Sequence, residues 1–146
     1  MPAAENTVIV QRPIGDVFAF LADGENNRRW RPAVVDIARV SGDGVGTRYR
    51  QGVKGPFGRR VDADYEITAL EPDRRIEFRT VTGPVRPEGS FELGEAEGGT
   101  RVTFRLSYEP GGIGRLMSPM VAASMRSEVG NLENLRRVLE ADAVGG

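Results

Sequence analysis

The 146-residue chain contains neither cysteine nor histidine. The first absence excludes disulfides, thiolate nucleophiles and thiolate metal sites together. The second removes the commonest metal ligand and the side chain that most often acts as general base near neutral pH. The carboxylates that remain are scattered, without the spacing of a calcium loop, so neither a metal nor an organic cofactor is expected. No apolar run approaches the roughly 20 residues that span a bilayer, so no integral membrane segment is expected. The N-terminal "MPAAENTVIV" lacks a basic stretch followed by an apolar one, which argues against a secretory signal and for a cytoplasmic location. A surplus of either charge is missing too. Lys and Arg number 20 against 21 Asp and Glu, interspersed rather than blocked, and this balance disfavours a nucleic-acid surface.

What is present is ordinary for a soluble globular protein: 39% hydrophobic and 28% charged residues. The length predicts a single domain over residues 1–146, large enough for a core or for a core plus a ligand cavity. Tryptophan occurs once, at position 30, within "RRWRP". This basic and aromatic cluster is too short to bind RNA by itself and reads as a solvated turn around a buried ring.

Thr7 to Gln11 predicts a short strand. Pro13 then sits near a helix start, and Val17, Phe18, Phe20 and Leu21 form an apolar stripe that "DGENN" terminates. A second, very short helix is expected from Glu25 to Arg29. From Val34 onward the pattern changes to strands parted by turn residues: Val34 to Val40, Thr47 to Val53, Arg59 to Leu70, Arg75 to Val81, Gly89 to Leu93 and Arg101 to Tyr108. Spacing this short predicts hairpins and an antiparallel meander. The glycine-rich "SGDGVG" is followed by a strand, whereas a phosphate cradle needs a helix N-terminus, so it reads as a hairpin turn. In the segment Arg59 to Leu70, strict alternation sets Val61, Ala63, Tyr65, Ile67 and Ala69 against Arg60, Asp62, Asp64, Glu66 and Thr68. One face is wet and the other covered.

The cover is "SPMVAASMRSEVGNLENLRRVLEAD", a predicted helix of about 25 residues with Ser118 as cap and Pro119 at its first position, or starting near Ile113 and kinking at Pro119. Its stripe is Val121, Met125, Leu132, Leu135 and Leu139, and Glu128 falls inside it.

The order strand, two short helices, six strands, long helix, together with "RPIGDVFAFLADGENNRRW", "GVGTRYR", "YEITALEPDRRIEFR", "GGTRVTFRLSYEP" and "NLENLRRVLE", resembles the SRPBCC superfamily over essentially the whole chain. That superfamily includes START lipid-transfer domains, plant pathogenesis-related allergens and polyketide cyclase/dehydrases. The resemblance implies an α+β helix-grip fold: a seven-stranded curved antiparallel sheet wrapped around a long C-terminal helix, with two short helices between strands 1 and 2. It also implies an apolar cavity between sheet and helix. Trp30 would pack where the helical pair hands over to the second strand, as a core wedge or as part of the lining.

Extending the alternation to the neighbouring strands directs Thr47, Tyr49, Gln51, Val53, Tyr65, Ile67, Ile76, Phe78, Thr80, Phe91, Leu93, Val102, Phe104, Leu106 and Tyr108 inward. The candidate ligand contacts are Tyr49, Gln51, Tyr65, Phe78, Thr80, Phe91, Phe104 and Tyr108, with Val121, Ser124, Met125 and Glu128 from the helix. Apolar walls mixed with a few hydroxyls and amides suit a pocket; tyrosines reaching backbone partners in a filled core are the competing reading. Met117, Met120 and Met125 suit an adaptable lining or a core equally. Glu128 is the candidate catalytic residue. A carboxylate in an apolar stripe must be paired, with Arg48, Arg50 or Arg79 as candidates, or face a hydrated pocket, or snorkel at the stripe's edge.

Three function classes follow. The first is a binder of a small hydrophobic molecule, lipid- or polyketide-like. The second is a polyketide cyclase/dehydratase-type enzyme in which Glu128, the inward tyrosines and an arginine move protons. The third is a protein-interaction module. A homodimer is compatible with all three.

Overall fold

The computed structural model describes residues 3–55, 58–83, 85–108 and 118–145. Strand β1 runs Ala3–Val10, helix α1 Ile14–Ala22, a 3-10 turn Gly24–Asn26 and helix α2 Asn27–Trp30. Seven strands follow: β2 Val34–Ser41, β3 Arg48–Lys54, β4 Arg60–Asp62, β5 Tyr65–Glu71, β6 Arg75–Thr80, β7 Glu88–Ala96 and β8 Gly99–Ser107. Helices α3 Ser118–Gly130 and α4 Leu132–Gly145 complete the order. The expected alternative helix start at Ile113 lies outside the described residues, as does Met117.

All pairings are antiparallel, and the sheet reads β1-β8-β7-β6-β5-β3-β2, with short β4 adding to β3. This is the helix-grip arrangement of seven principal strands. β1 is longer than its apolar residues predict because it pairs with β8 along its whole length, from Ala3 opposite Ser107 to Val10 opposite Thr100. Glu5 and Thr7 on its outward face hide that continuity from a reading by hydrophobicity.

The segment 59–70 is two strands, not one. At Ala63 and Asp64 the chain leaves the ladder: the Asp64 carboxylate accepts the Gln51 N–H at 3.0 Å, and the Asp64 N–H donates to Thr82 Oγ1 at 2.8 Å. A bulge between Ile67 and Ala69 then shifts the register, pairing Leu70 with core-facing Ile76 and Ala69 with Glu77. The expected alternation therefore holds through Tyr65 and Ile67 and inverts afterwards, so Leu70 rather than Ala69 packs against the core.

The long helix is interrupted at Asn131, beside Gly130, a poor helix former. There the Asn131 N–H bonds the Glu128 carbonyl at 3.1 Å, one residue tighter than α-helical spacing. The predicted stripe Val121, Met125, Leu132, Leu135 and Leu139 is buried throughout, joined by Val129, which that reading omitted. These side chains close over Val10, Val17, Trp30, Phe91, Val102 and Phe104 to form one core. β1 is tied directly to this lid, since Asn6 Nδ2 donates to the Val129 carbonyl at 3.1 Å.

Candidate functional site

The inner face of the sheet divides into a polar end and an aromatic end. At the polar end the 3-10 turn and α2 replace the single short helix expected over 25–29, and they press against β3 and β5. Gly24 lies buried beneath two tyrosines, its N–H donating to Tyr49 Oη at 3.1 Å. A Cβ at this position would run into Tyr65 Oη and sit 2.8 Å from Tyr49 Cζ, so any side chain there must displace the two rings. Asn27, also buried, donates through Nδ2 to Gln51 Oε1 at 3.2 Å and to Tyr65 Oη at 3.1 Å, and Gln51 Nε2 reaches the Ala63 carbonyl at 3.2 Å. The Tyr49 and Tyr65 rings stack at 5.0 Å. Burial raises the pKa of both phenols above the ordinary tyrosine value, that of Tyr65 the more strongly, because the phenolate would lose hydration there. Three predicted ligand contacts, Tyr49, Gln51 and Tyr65, thus have their polar atoms engaged by the protein itself.

The aromatic end continues the same band across three more strands. Tyr65 meets Phe78 edge-on at 5.6 Å, Phe78 lies 6.0 Å from Phe91, and Phe91 stacks on Phe104 at 4.5 Å. Trp30 stands against both members of that stack at 5.9 Å, with interplanar angles of 65° and 66°. It occupies the corner where α2 hands over to β2, and its carbonyl accepts Asn134 Nδ2 from α4 at 3.2 Å. The ring is 2% exposed, yet its Nε1 has no hydrogen-bond partner among the described residues. A buried donor left unmade costs about 1 to 3 kcal/mol. Phe78 depends on a second close approach: a Cβ on Gly89 would lie 2.3 Å from Phe78 Cζ and 2.8 Å from Leu106 Cδ2.

Glu128 lies on the lid helix α3. Its carboxylate is paired, but with Arg31 and not with Arg48, Arg50 or Arg79: Arg31 Nε donates to Oε2 at 2.7 Å, with the two side chains 12% and 14% exposed. Arg48 and Arg50 are on the exposed side of β3, and Arg79 bonds Glu66 at 3.1 Å. The three arginines of "RRWR" therefore differ in role. Arg28 is exposed, Arg29 stacks 5.1 Å over the Phe20 ring and pairs with Asp142 at 3.1 Å, and Arg31 holds Glu128. Two of them fasten the helical pair to the C-terminal helix.

Of the remaining candidates, Phe78 and Thr80 are half-buried, and Phe91, Phe104, Tyr108, Val121 and Met125 are buried and inward. Ser124 is a correction. It is exposed and does not share the interior with Glu128, because one residue before Met125 rotates it off the buried stripe. Met120 is likewise exposed, at 59%. The sequence reading missed Asn27, Gly24 and Arg31. "DGENN", which holds Gly24 and Asn27, reads as a helix stop, and Arg31 lies in "RRWR", which reads as a solvated turn.

A hollow of about 580 Å³ is lined by residues of β1, β5, β6, β7 and β8, among them Glu77, Phe78, Arg79, Glu88, Arg105 and Leu106. Its charges are largely paired, Arg79 with Glu66 and Arg105 with Glu5 and Glu92. Among the described residues no cluster of three acidic side chains could hold a metal ion. No helix among them is long and apolar enough to cross a membrane.

A curved antiparallel sheet gripping a terminal helix, with a helical pair at one corner, defines the SRPBCC class. The family described as polyketide cyclase / dehydrase and lipid transport matches residues 1–140, and the chain belongs to it. A search of curated proteins finds no match. Among solved structures, the Thermus thermophilus protein TTHA0849 is 25% identical with a TM-score of 0.80, covering 96% of this chain and 99% of that one. A START superfamily protein from Mycobacterium smegmatis is 18% identical with a TM-score of 0.70, covering 97% of each chain. Ara h 8.0201 is 17% identical with a TM-score of 0.74, covering 95% of this chain and 97% of that one. The latter two likenesses show the fold.

Proposed function

We propose that residues 1–146 act as one unit that binds a small hydrophobic molecule, lipid- or polyketide-like, between the sheet and the C-terminal helix, in the cytoplasm and without a cofactor. The observation that carries this reading is the unbroken band of rings Tyr49, Tyr65, Phe78, Phe91 and Phe104 across five strands, facing Val121 and Met125 of the lid. Such a surface binds apolar guests through burial and ring contacts. The enzymatic alternative is less well supported. Glu128 is held by Arg31, and Tyr49 and Tyr65 resist ionisation, so the groups that would move protons are committed to the fold. Membership in a family whose description includes lipid transport supports binding equally well.

The test is titration with N-phenyl-1-naphthylamine, an uncharged fluorophore. The expected result is saturable, one-to-one binding that weakens about tenfold or more in Phe78→Ser, since burying a phenylalanine contributes about 1.5 to 3 kcal/mol. Absence of saturable binding to the wild type, or equal binding by the folded variant, overturns the proposal.

A further inference from the structure

We propose that the hollow lined by β1, β5, β6, β7 and β8 is a second binding site, on the sheet face turned away from the C-terminal helix, and that its guest is a small hydroxylated organic cation: a primary ammonium on a polyhydroxylated body. The site lies apart from the interior assigned to the hydrophobic molecule and does not depend on that reading.

The strand register assigns the faces, because residues directly opposite in an antiparallel pair project to the same side. Phe78, Gly89, Leu106 and Ala4 form one row across β6, β7, β8 and β1, and its side chains pack against the core. The adjacent row Glu77, Ser90, Arg105 and Glu5 therefore faces outward, as does the row Arg79, Glu88 and Ser107 on the other flank. These outward rows line the 580 Å³ hollow.

Two of its polar groups lack partners. Ser90 is only 8% exposed, and its hydroxyl has no hydrogen-bond partner among the described residues. A hidden polar group without a partner calls for one. Glu88 is exposed and joins no ion pair among the described residues. Arg79 stands opposite both Glu66 and Glu88, yet its Nη2 bonds Glu66, at 3.1 Å. Arg105, opposite Ser90, is held by Glu5 at 3.1 Å and by Glu92 at 2.9 Å. Glu77 is matched by Arg75 at 3.1 Å. The charge left to be met in the hollow is thus negative, and it belongs to Glu88. Glu88 and Ser90 are alternate residues of β7 on one face, about 7 Å apart between Cα atoms, so one ammonium group can donate to both.

A metal ion does not suit this lining, since no three acidic side chains cluster among the described residues. An apolar guest does not suit it either, because Glu5, Glu77, Arg79, Glu88 and Arg105 surround it. Hydroxyls on the guest's body can both give and accept hydrogen bonds, as Thr68 and Ser107 of the same lining can.

The test uses glucamine and sorbitol, which share one polyol chain and differ by an ammonium in place of a terminal hydroxyl. Each is titrated at neutral pH and low salt into isotope-labelled protein while the backbone amide resonances are followed. The expected result is that glucamine shifts the Ser90 and Glu88 resonances saturably and binds about tenfold more tightly than sorbitol, the effect of one charge-assisted hydrogen bond. Glu88→Gln, an exposed substitution, should bring the two affinities together, and Ser90→Ala should weaken glucamine several-fold. Equal affinity of both probes for the wild type, a preference that survives Glu88→Gln, unchanged glucamine affinity in Ser90→Ala, or shifts spread over the other surface carboxylates would each overturn the site. Glucamine should also leave N-phenyl-1-naphthylamine affinity unchanged. Displacement of that fluorophore would put glucamine in the interior and overturn the outer site, whereas failure of the fluorophore alone to bind bears only on the interior.

Discussion

The two ends of the inner face are built from the same residue class and used in opposite ways. At the polar end two stacked tyrosines and a glutamine are knitted to Gly24 and Asn27, and their polar atoms meet partners within the fold. At the aromatic end three phenylalanines and a tryptophan pack by edge and face, and the single polar atom among them is left without a described partner. A satisfied polar network fixes one conformation and gains nothing from a guest. The aromatic end is instead held by ring packing, with Trp30, Phe91 and Phe104 almost completely covered. The difference teaches that the inward tyrosines, which composition alone would nominate as ligand contacts, seat the helical pair, while the rings beyond them pack the apolar core.

The largest effect that tests this division is at the junction. Glu128→Ala leaves Arg31 unpaired at a site that is nearly buried, and should lower stability by about 3 kcal/mol in chemical denaturation. Glu128→Leu should recover part of that loss by packing with the stripe. Glu128→Gln keeps an acceptor for Arg31 and should leave naphthylamine affinity unchanged. A Gln variant that melts normally but binds the probe more weakly would move Glu128 from the structural side of the comparison to the functional one.

Next come the two glycines, one at each end. Gly24→Ala drives a methyl into both tyrosines and should cost about 2 to 3 kcal/mol, with probe affinity in the folded fraction preserved. Gly89→Ala pushes the half-buried Phe78 ring, which can swing, so about 1 kcal/mol of stability is lost while affinity falls several-fold. Urea melts and probe titrations run on both proteins would break the comparison if the two losses appeared in the reverse pattern.

The last test is a pH dependence at the polar end, absent near neutral pH. Tyr49 and Tyr65 have folded pKa values raised by burial, so below about pH 10, where unfolded tyrosine is also protonated, they contribute no slope. Above it the unfolded chain releases protons that the folded one keeps. Stability then falls as pH rises, by up to about 1.4 kcal/mol per unit for each protected tyrosine. Denaturation curves between about pH 9 and 12 should show this slope, and Tyr65→Phe should reduce it. An unchanged slope in that variant would mean Tyr65 ionises freely in the folded protein.

The local patterns were readable because they depend on neighbours a few residues away. The helix stripe from Val121 to Leu139 follows from helical periodicity, and the inward set from Thr47 to Tyr108 follows from the two-residue period of strands. They failed where the backbone departs from its regular period. The bulge after Ile67 moved Leu70 inward, and the departure at Asp64 divided one expected strand into two. Neither departure has a spacing of its own to read.

The sequence by itself determined the class of fold, the buried faces of its strands and helix, and the need for Glu128 to find a partner, because burial of apolar surface acts on every periodic segment wherever it ends up. Tertiary structure decided which partner. Arg31 is 97 positions from Glu128, and Asn27 is 38 from Tyr65. Hydrogen bonds and ion pairs are short-ranged and directional, so their partners are chosen only once the sheet has curled and the helical pair has docked against the lid. The same closure left Trp30 Nε1 buried without a described partner, although nothing in "RRWRP" distinguishes a satisfied indole from an unsatisfied one.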